Sequence, residues 1–203
     1  MLSIKHASLP AKLLGVLALS GLATAAQAHT GHGVTGFMAG LAHPFGPDHL
    51  LAMVAVGLWS VFALPAGRTW LGPLTFMVAL MVSAALGASG MTLPYLENAI
   101  SASVVLFGLM LMLATRQWPT VLGLGLIAAA SSLHGLAHGA EAPESASFAN
   151  YAAGFLLTTA VLHFGGVFSG LALRRWLAEH ATKVLAGLGV AFSGAGVYLL
   201  SQL

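Results

Sequence analysis

Three side chains able to hold a metal ion fall within seven residues: His43, Asp48 and His49, in the run Ala42-His43-Pro44-Phe45-Gly46-Pro47-Asp48-His49. The run lies in an apolar stretch, where ionisable groups are costly and usually functional. On a straight helix of 3.6 residues per turn His43 and His49 would not share a face. Pro44, Gly46 and Pro47 argue against a straight helix. Proline lacks the backbone donor and its ring clashes with the preceding turn. A break here would free carbonyls and let all three side chains converge, as discontinuous helices do in several transporters. The alternative is a kinked helix whose polar side chains only pair with one another.

A second set follows at His134, His138 and Glu141. Positions i, i+4 and i+7 share a helical face, and paired imidazoles at i and i+4 can chelate a metal. Glu141, and His138 with it, could equally lie solvated in the following loop. His163 stands alone in an apolar stretch, as a ligand or as a hydrogen-bonded packing residue. Glu97 opens another apolar stretch, either guarding an entrance or complementing a helix dipole. His29 and His32 could capture metal or belong to an unstructured His-Gly tail, and His180 beside Glu179 reads as solvated. The eight methionines are scattered through apolar runs and read as packing.

Imidazole with carboxylate suits nickel, cobalt, zinc, copper and iron, whereas magnesium and calcium prefer oxygen shells. There is no cysteine, which excludes disulfides, thiolate sites and iron–sulfur clusters. No Walker motif is present, so transport would be passive or secondary.

The elements that must position these groups are set by composition. Of 203 residues, 58% are hydrophobic and 6% charged, with a mean hydropathy of +0.92. Soluble domains carry about a quarter charged residues, so the lipid bilayer is this chain's expected solvent. The pI of 9.3 does not indicate a nucleic-acid partner. Lys5 and Lys12 fall in the first dozen residues, and the remainder is formally neutral with no basic run.

Residues 1–28 read as a cleavable signal peptide: Lys5 and Lys12, an apolar core from Leu13 to Ala23, then Ala26-Gln27-Ala28. An uncleaved first helix is the alternative. Residues 29–203 then form one all-α polytopic domain. Its six expected spans run over about 34–62, 70–91, 96–114, 119–138, 147–170 and 182–202. Gly36 with Gly40, and Gly187 with Gly189, are expected at close helix crossings. With the mature N-terminus outside, Arg68, Arg116, Arg174, Arg175 and Lys183 all fall on the cytoplasmic side, as the positive-inside rule requires. The exterior loops would hold Glu97, Glu141 and Glu144. The expected location is a bacterial inner membrane, multi-pass, with the N-terminus in the periplasm.

These motifs resemble the HupE/UreJ nickel permeases, small proteins associated with hydrogenase and urease gene clusters. The resemblance spans the signal peptide, the His-Gly start, the first span ending in Asp-His and the His-rich fourth span. That family's first-span signature is His-Pro-x-x-Gly-x-Asp-His, and this chain is one residue shorter between the proline and the glycine. His-x4-Asp-His is the spacing of the larger nickel–cobalt transporter family. The resemblance implies His43, Asp48 and His49 as the essential motif, supported by Glu97, His134 and Glu141. It implies a permease for nickel, or for cobalt, and not an enzyme. The metal is cargo, no cofactor is permanently bound, and self-association is left open. Rival readings are a membrane-embedded zinc-dependent hydrolase, a bis-histidine haem carrier, and a metal sensor or assembly factor.

Overall fold

The computed structural model describes residues 36–116, 119–143 and 147–203. The expected signal peptide, His29, His32 and Glu144 lie outside the described residues. Those residues are helical without strands: α1 (Gly36–Ala42), a 3-10 turn (His43–Phe45), α2 (Pro47–Ala63), α3 (Leu71–Ala88), α4 (Leu96–Met112), α5 (Thr120–Ala140), α6 (Phe148–Trp176), a 3-10 turn (Ala178–His180) and α7 (Ala181–Leu200).

Of these, α3, α5, α6 and the segment Ala178–Leu200 are each long and apolar enough to cross a membrane. The α1 segment Gly36–Phe45 and α2 together form a fifth candidate, bent by 71° at the break. Apolar α4, with 17 residues, is shorter than the usual span of about 20. Four helices, or five counting the bent pair, therefore meet the length and composition of a span, against the six expected.

The bend follows from local chemistry. Pro44 and Pro47 each lack an N–H, and their rings collide with the carbonyls of Gly40 and His43 if the helix runs straight. Gly46 adopts φ −50°, ψ 138°, the extended conformation preferred before proline. Its N–H closes the 3-10 turn on the His43 carbonyl at 3.1 Å, and Pro47 starts α2 at the position where a missing donor costs nothing. The Leu41 carbonyl beside the break accepts the Thr158 hydroxyl of α6 at 2.9 Å.

Three helix pairings build the bundle: α1 and α2 against α6, α3 against α5, and α4 against α7. Each pairing crosses at glycines. A Cβ on Gly57 of α2 would stand 2.5 Å from the His163 carbonyl of α6, and one on Gly139 of α5 would stand 2.5 Å from the Ala88 nitrogen of α3. A Cβ on Gly189 of α7 would lie 2.5 Å from the Gly108 carbonyl of α4. In lipid, backbones held this close supply the packing that hydrophobicity cannot. Gly40 and Gly189 are thus at close crossings as expected, but Gly187 is not, because a Cβ there meets open space.

Successive antiparallel helices put Arg68, Arg116, Arg174, Arg175 and Lys183 at one end of the bundle. Glu97 in the first turn of α4 and Glu141 just past α5 mark the opposite end. Between the ends, Ala52, Met53, Val56, Phe76, Leu80, Phe107 and Ile127 form a core shielded from solvent.

Candidate metal site

The broken helix and the last turns of α5 bring four imidazoles together. Ring centroids lie 5.1 Å apart for His43 and His49, 4.3 Å for His43 and His138, 4.7 Å for His49 and His138, and 4.6 Å for His49 and His134. One ligating nitrogen from each of His43, His49 and His138 lies within 4.8 Å of the others. To share one ion at bond lengths of about 2.0–2.1 Å, typical of imidazole on zinc, these nitrogens close up further around it. His49, His134 and His138 are buried, and His43 is partly so.

Hydrogen bonding fixes which nitrogens are free. Asp48 begins α2, where a carboxylate complements the helix dipole. Its Oδ1 accepts the His49 backbone N–H at 2.8 Å and stands 2.9 Å from His49 Nδ1. A carboxylate only accepts, so Nδ1 carries the hydrogen and Nε2 presents a lone pair. Carboxylates that accept the far N–H of metal-binding histidines orient them in this way. Ser103 of α4 plays a matching part for His134. The Ser103 hydroxyl donates to the Ile100 carbonyl at 2.6 Å and lies 2.8 Å from His134 Nε2. With its single hydrogen used, the oxygen accepts from Nε2–H and leaves Nδ1 of His134 bare.

His43 Nδ1 lies 3.5 Å from Glu141 Oε2. The result is one cluster of buried nitrogens without a hydrogen-bond partner: Nε2 of His43 and His49, Nδ1 of His134, and both nitrogens of His138. An unsatisfied buried polar atom costs about 1–3 kcal/mol. Several converge in one place, the arrangement of open donors that a shared cation would satisfy.

Glu141 and Glu97 flank the approach to the cluster. Glu141 is half exposed. Its carboxyl is held above the ordinary carboxylate value by burial first and then by the charge of Glu97. Tyr151 of α6 closes another side, its ring centroid 6.1 Å from that of His43, and Phe155 lies 4.5 Å from His138.

The structure therefore brings together His43, Asp48, His49, His134, His138 and Glu141, with Glu97 exposed nearby. His163 does not join them. It packs against Phe76 at 4.8 Å, with its Nδ1–H on the Thr159 carbonyl at 2.8 Å. His180 is exposed in its 3-10 turn. Ser103, Tyr151, Phe155 and Phe76 were not anticipated from sequence. Only Ser103 had a usable signal, a hydroxyl inside an apolar helix.

A buried histidine cluster between apolar helices marks a multi-pass membrane protein with a candidate metal site. The comparisons make the assignment specific. The HupE / UreJ protein family profile matches residues 17–199, and the chain belongs to that family. It is 37% identical over 188 residues to Protein HupE of Rhizobium leguminosarum bv. viciae, covering 92% of this chain and 96% of that one. No solved structure matches the chain.

Proposed function

We propose that this protein is a secondary transporter importing nickel, with cobalt as a second cargo, across a bacterial inner membrane to supply metalloenzymes such as hydrogenase or urease. The observation that carries the reading is the convergence of ligating nitrogens from His43, His49 and His138 within 4.8 Å, inside a bundle of apolar helices. Membership of the HupE/UreJ family supports it. In this reading the bent α1–α2 pair and α4 both count as spans, which makes six after a signal peptide at 1–28. The acidic end faces the periplasm and the arginine-bearing end the cytoplasm, in keeping with the positive-inside rule.

Glu97 and Glu141 attract the hydrated cation, and His29 and His32 of the mature N-terminus deliver it. His43, His49, His134 and His138 replace its water, while Asp48 acts through His49 by fixing the tautomer. Neutral imidazoles favour later transition metals over magnesium and calcium, and protons exchange with the metal as it binds and leaves. No feature of the described residues favours the zinc-hydrolase alternative.

The test is radioactive nickel uptake at submicromolar concentration in cells lacking their own nickel importers, with cobalt, zinc and copper as competitors. Expression should confer uptake, and His49→Ala should return it to background with the protein still in the membrane. A correctly inserted wild-type protein that carries no metal would overturn the proposal.

A further inference from the structure

Each imidazole of the cluster must be held in place, and three have a clear support. Asp48 orients His49 and Ser103 orients His134. His138 lies in the last turns of α5, which cross α3 at Gly139. His43 is different. It stands on the other side of the break, in a 3-10 turn of 3 residues. The carboxylate beside its Nδ1, Glu141, is half exposed and 3.5 Å away.

That turn follows α1, a helix of only 7 residues. Short helices draw most of their stability from what they pack on, and α1 packs chiefly on α6. Glycines let the two backbones meet. A Cβ on Gly40 would stand 3.0 Å from the Phe155 nitrogen, and one on Gly154 would stand 2.8 Å from the Leu41 nitrogen. One turn beyond Gly154, the Thr158 hydroxyl donates to the Leu41 carbonyl at 2.9 Å. Leu41 is next to last in α1, among the final carbonyls that a helix leaves without a partner of its own.

A hydroxyl inside a helix ordinarily bonds a carbonyl of its own preceding turn, and the buried Ser60, Ser83 and Ser131 do so. Thr158 is buried too, yet its bond crosses to another helix. It falls two residues before His43. On the other side, the His43 carbonyl takes the Gly46 N–H at 3.1 Å. The backbone around His43 is thus pinned twice, upstream to α6 and downstream to the residue that starts α2. So held, the His43 ring lies 4.3 Å from that of His138 and 5.1 Å from that of His49, between centroids.

We infer that Thr158 is the positioning residue for His43: its hydroxyl anchors the Leu41 carbonyl and so keeps the His43 imidazole in the cluster. It does this without touching the ion. Lacking the hydroxyl, Leu41 keeps an unpaired carbonyl between the helices, α1 loosens from α6, and His43 moves away while His49, His134 and His138 keep their own supports. The consequence for nickel rests on the reading of the cluster proposed above. The placement of His43 does not.

The experiment uses the full chain purified in detergent. Thr158→Val keeps the shape and removes the donor, and Thr158→Ser keeps the donor. Without metal, diethyl pyrocarbonate should modify His43 several-fold faster in Thr158→Val than in wild type, with His134 and His163 unchanged, as mass spectrometry of the peptides can locate. Equilibrium dialysis with Ni2+ should show a dissociation constant raised about tenfold in Thr158→Val, the lower end of the usual cost of losing a supporting group, and restored in Thr158→Ser. In a His43→Ala background, Thr158→Val should change it by less than about twofold, because both act through one ligand. Should Thr158→Val fail to reach the membrane, Thr158→Ala takes its place with the same expectations. Modification of His43 at the wild-type rate in a variant lacking the hydroxyl overturns the inference. Faster modification of His43, His134 and His163 together marks a general loosening and overturns it equally, as does a full Thr158→Val effect on nickel in the absence of His43. A wild-type protein that binds no nickel overturns the cluster reading alone, and the modification pattern still decides on Thr158.

Discussion

At the residue scale, the site depends on which nitrogen of each imidazole is free. Asp48 and Ser103 make that choice for His49 and His134 through bonds of 2.9 and 2.8 Å. Neither needs to touch the cation to matter. Asp48→Asn is expected to weaken nickel affinity about 10–100-fold, the usual cost of losing an orienting carboxylate. Ser103→Ala should also raise the dissociation constant, and Ser103→Thr should restore it. Equilibrium dialysis of the purified variants checks both. Sequence spacing was enough to mark His43, Asp48, His49, His134, His138 and Glu141 as candidates, because ionisable groups are rare in apolar stretches. It could not show that the Asp48 carboxylate is spent on His49 while the imidazole nitrogens stay open. That distinction depends on a contact geometry created by the first turn of α2. Ser103 was missed because serines are common in membrane helices, where most bond to their own backbone, as Ser60 does to the Val56 carbonyl.

At the element scale, the break before α2 does the positioning, and glycines fix how the helices meet. A Cβ at Gly46 would stand 3.0 Å from Asp48 Oδ1. Gly46→Ala should therefore displace the carboxylate and lower nickel affinity without unfolding the chain, which dialysis alongside thermal unfolding in detergent can show. Gly139→Leu and Gly57→Leu are different, because each new side chain would be driven into the backbone of the facing helix. Overpacking a core costs about 1–3 kcal/mol, and backbone yields less readily than side chains. Both variants should lose membrane protein level and thermal stability, whatever metal is present. The break was legible because two prolines around a glycine admit few conformations. The helix partners were not, since any of the many glycines could mark a crossing. Gly187 and Gly189 look alike in sequence, yet only Gly189 meets a neighbour.

At the scale of the whole molecule, charge divides the bundle into an acidic end and an arginine-bearing end, and the absence of cysteine makes this easy to test. Single cysteines at Tyr95 and Ala142 should react with a membrane-impermeant maleimide added to intact spheroplasts. A cysteine at Ala66 should react only after lysis. Labelling of Ala66→Cys in intact cells would reverse the orientation proposed above. The helical class and most span boundaries were readable from hydropathy. The end of α6 was not: the helix continues to Trp176, six residues past the expected 170, because its apolar run carries on through Leu171, Ala172 and Leu173.

The unequal helix lengths carry a consequence of their own. At 1.5 Å per residue, the 17 residues of α4 reach about 25 Å and the 29 residues of α6 about 43 Å, against a hydrocarbon layer of about 30 Å. One bilayer cannot match both. In the six-span arrangement proposed above, lipid thins beside α4, while α6 tilts or lifts Arg174 and Arg175 into the headgroups. The acyl-chain length of the surrounding lipid thus becomes a mechanical load on the bundle. Flux in vesicles of graded thickness should peak at short chains and fall as the membrane thickens.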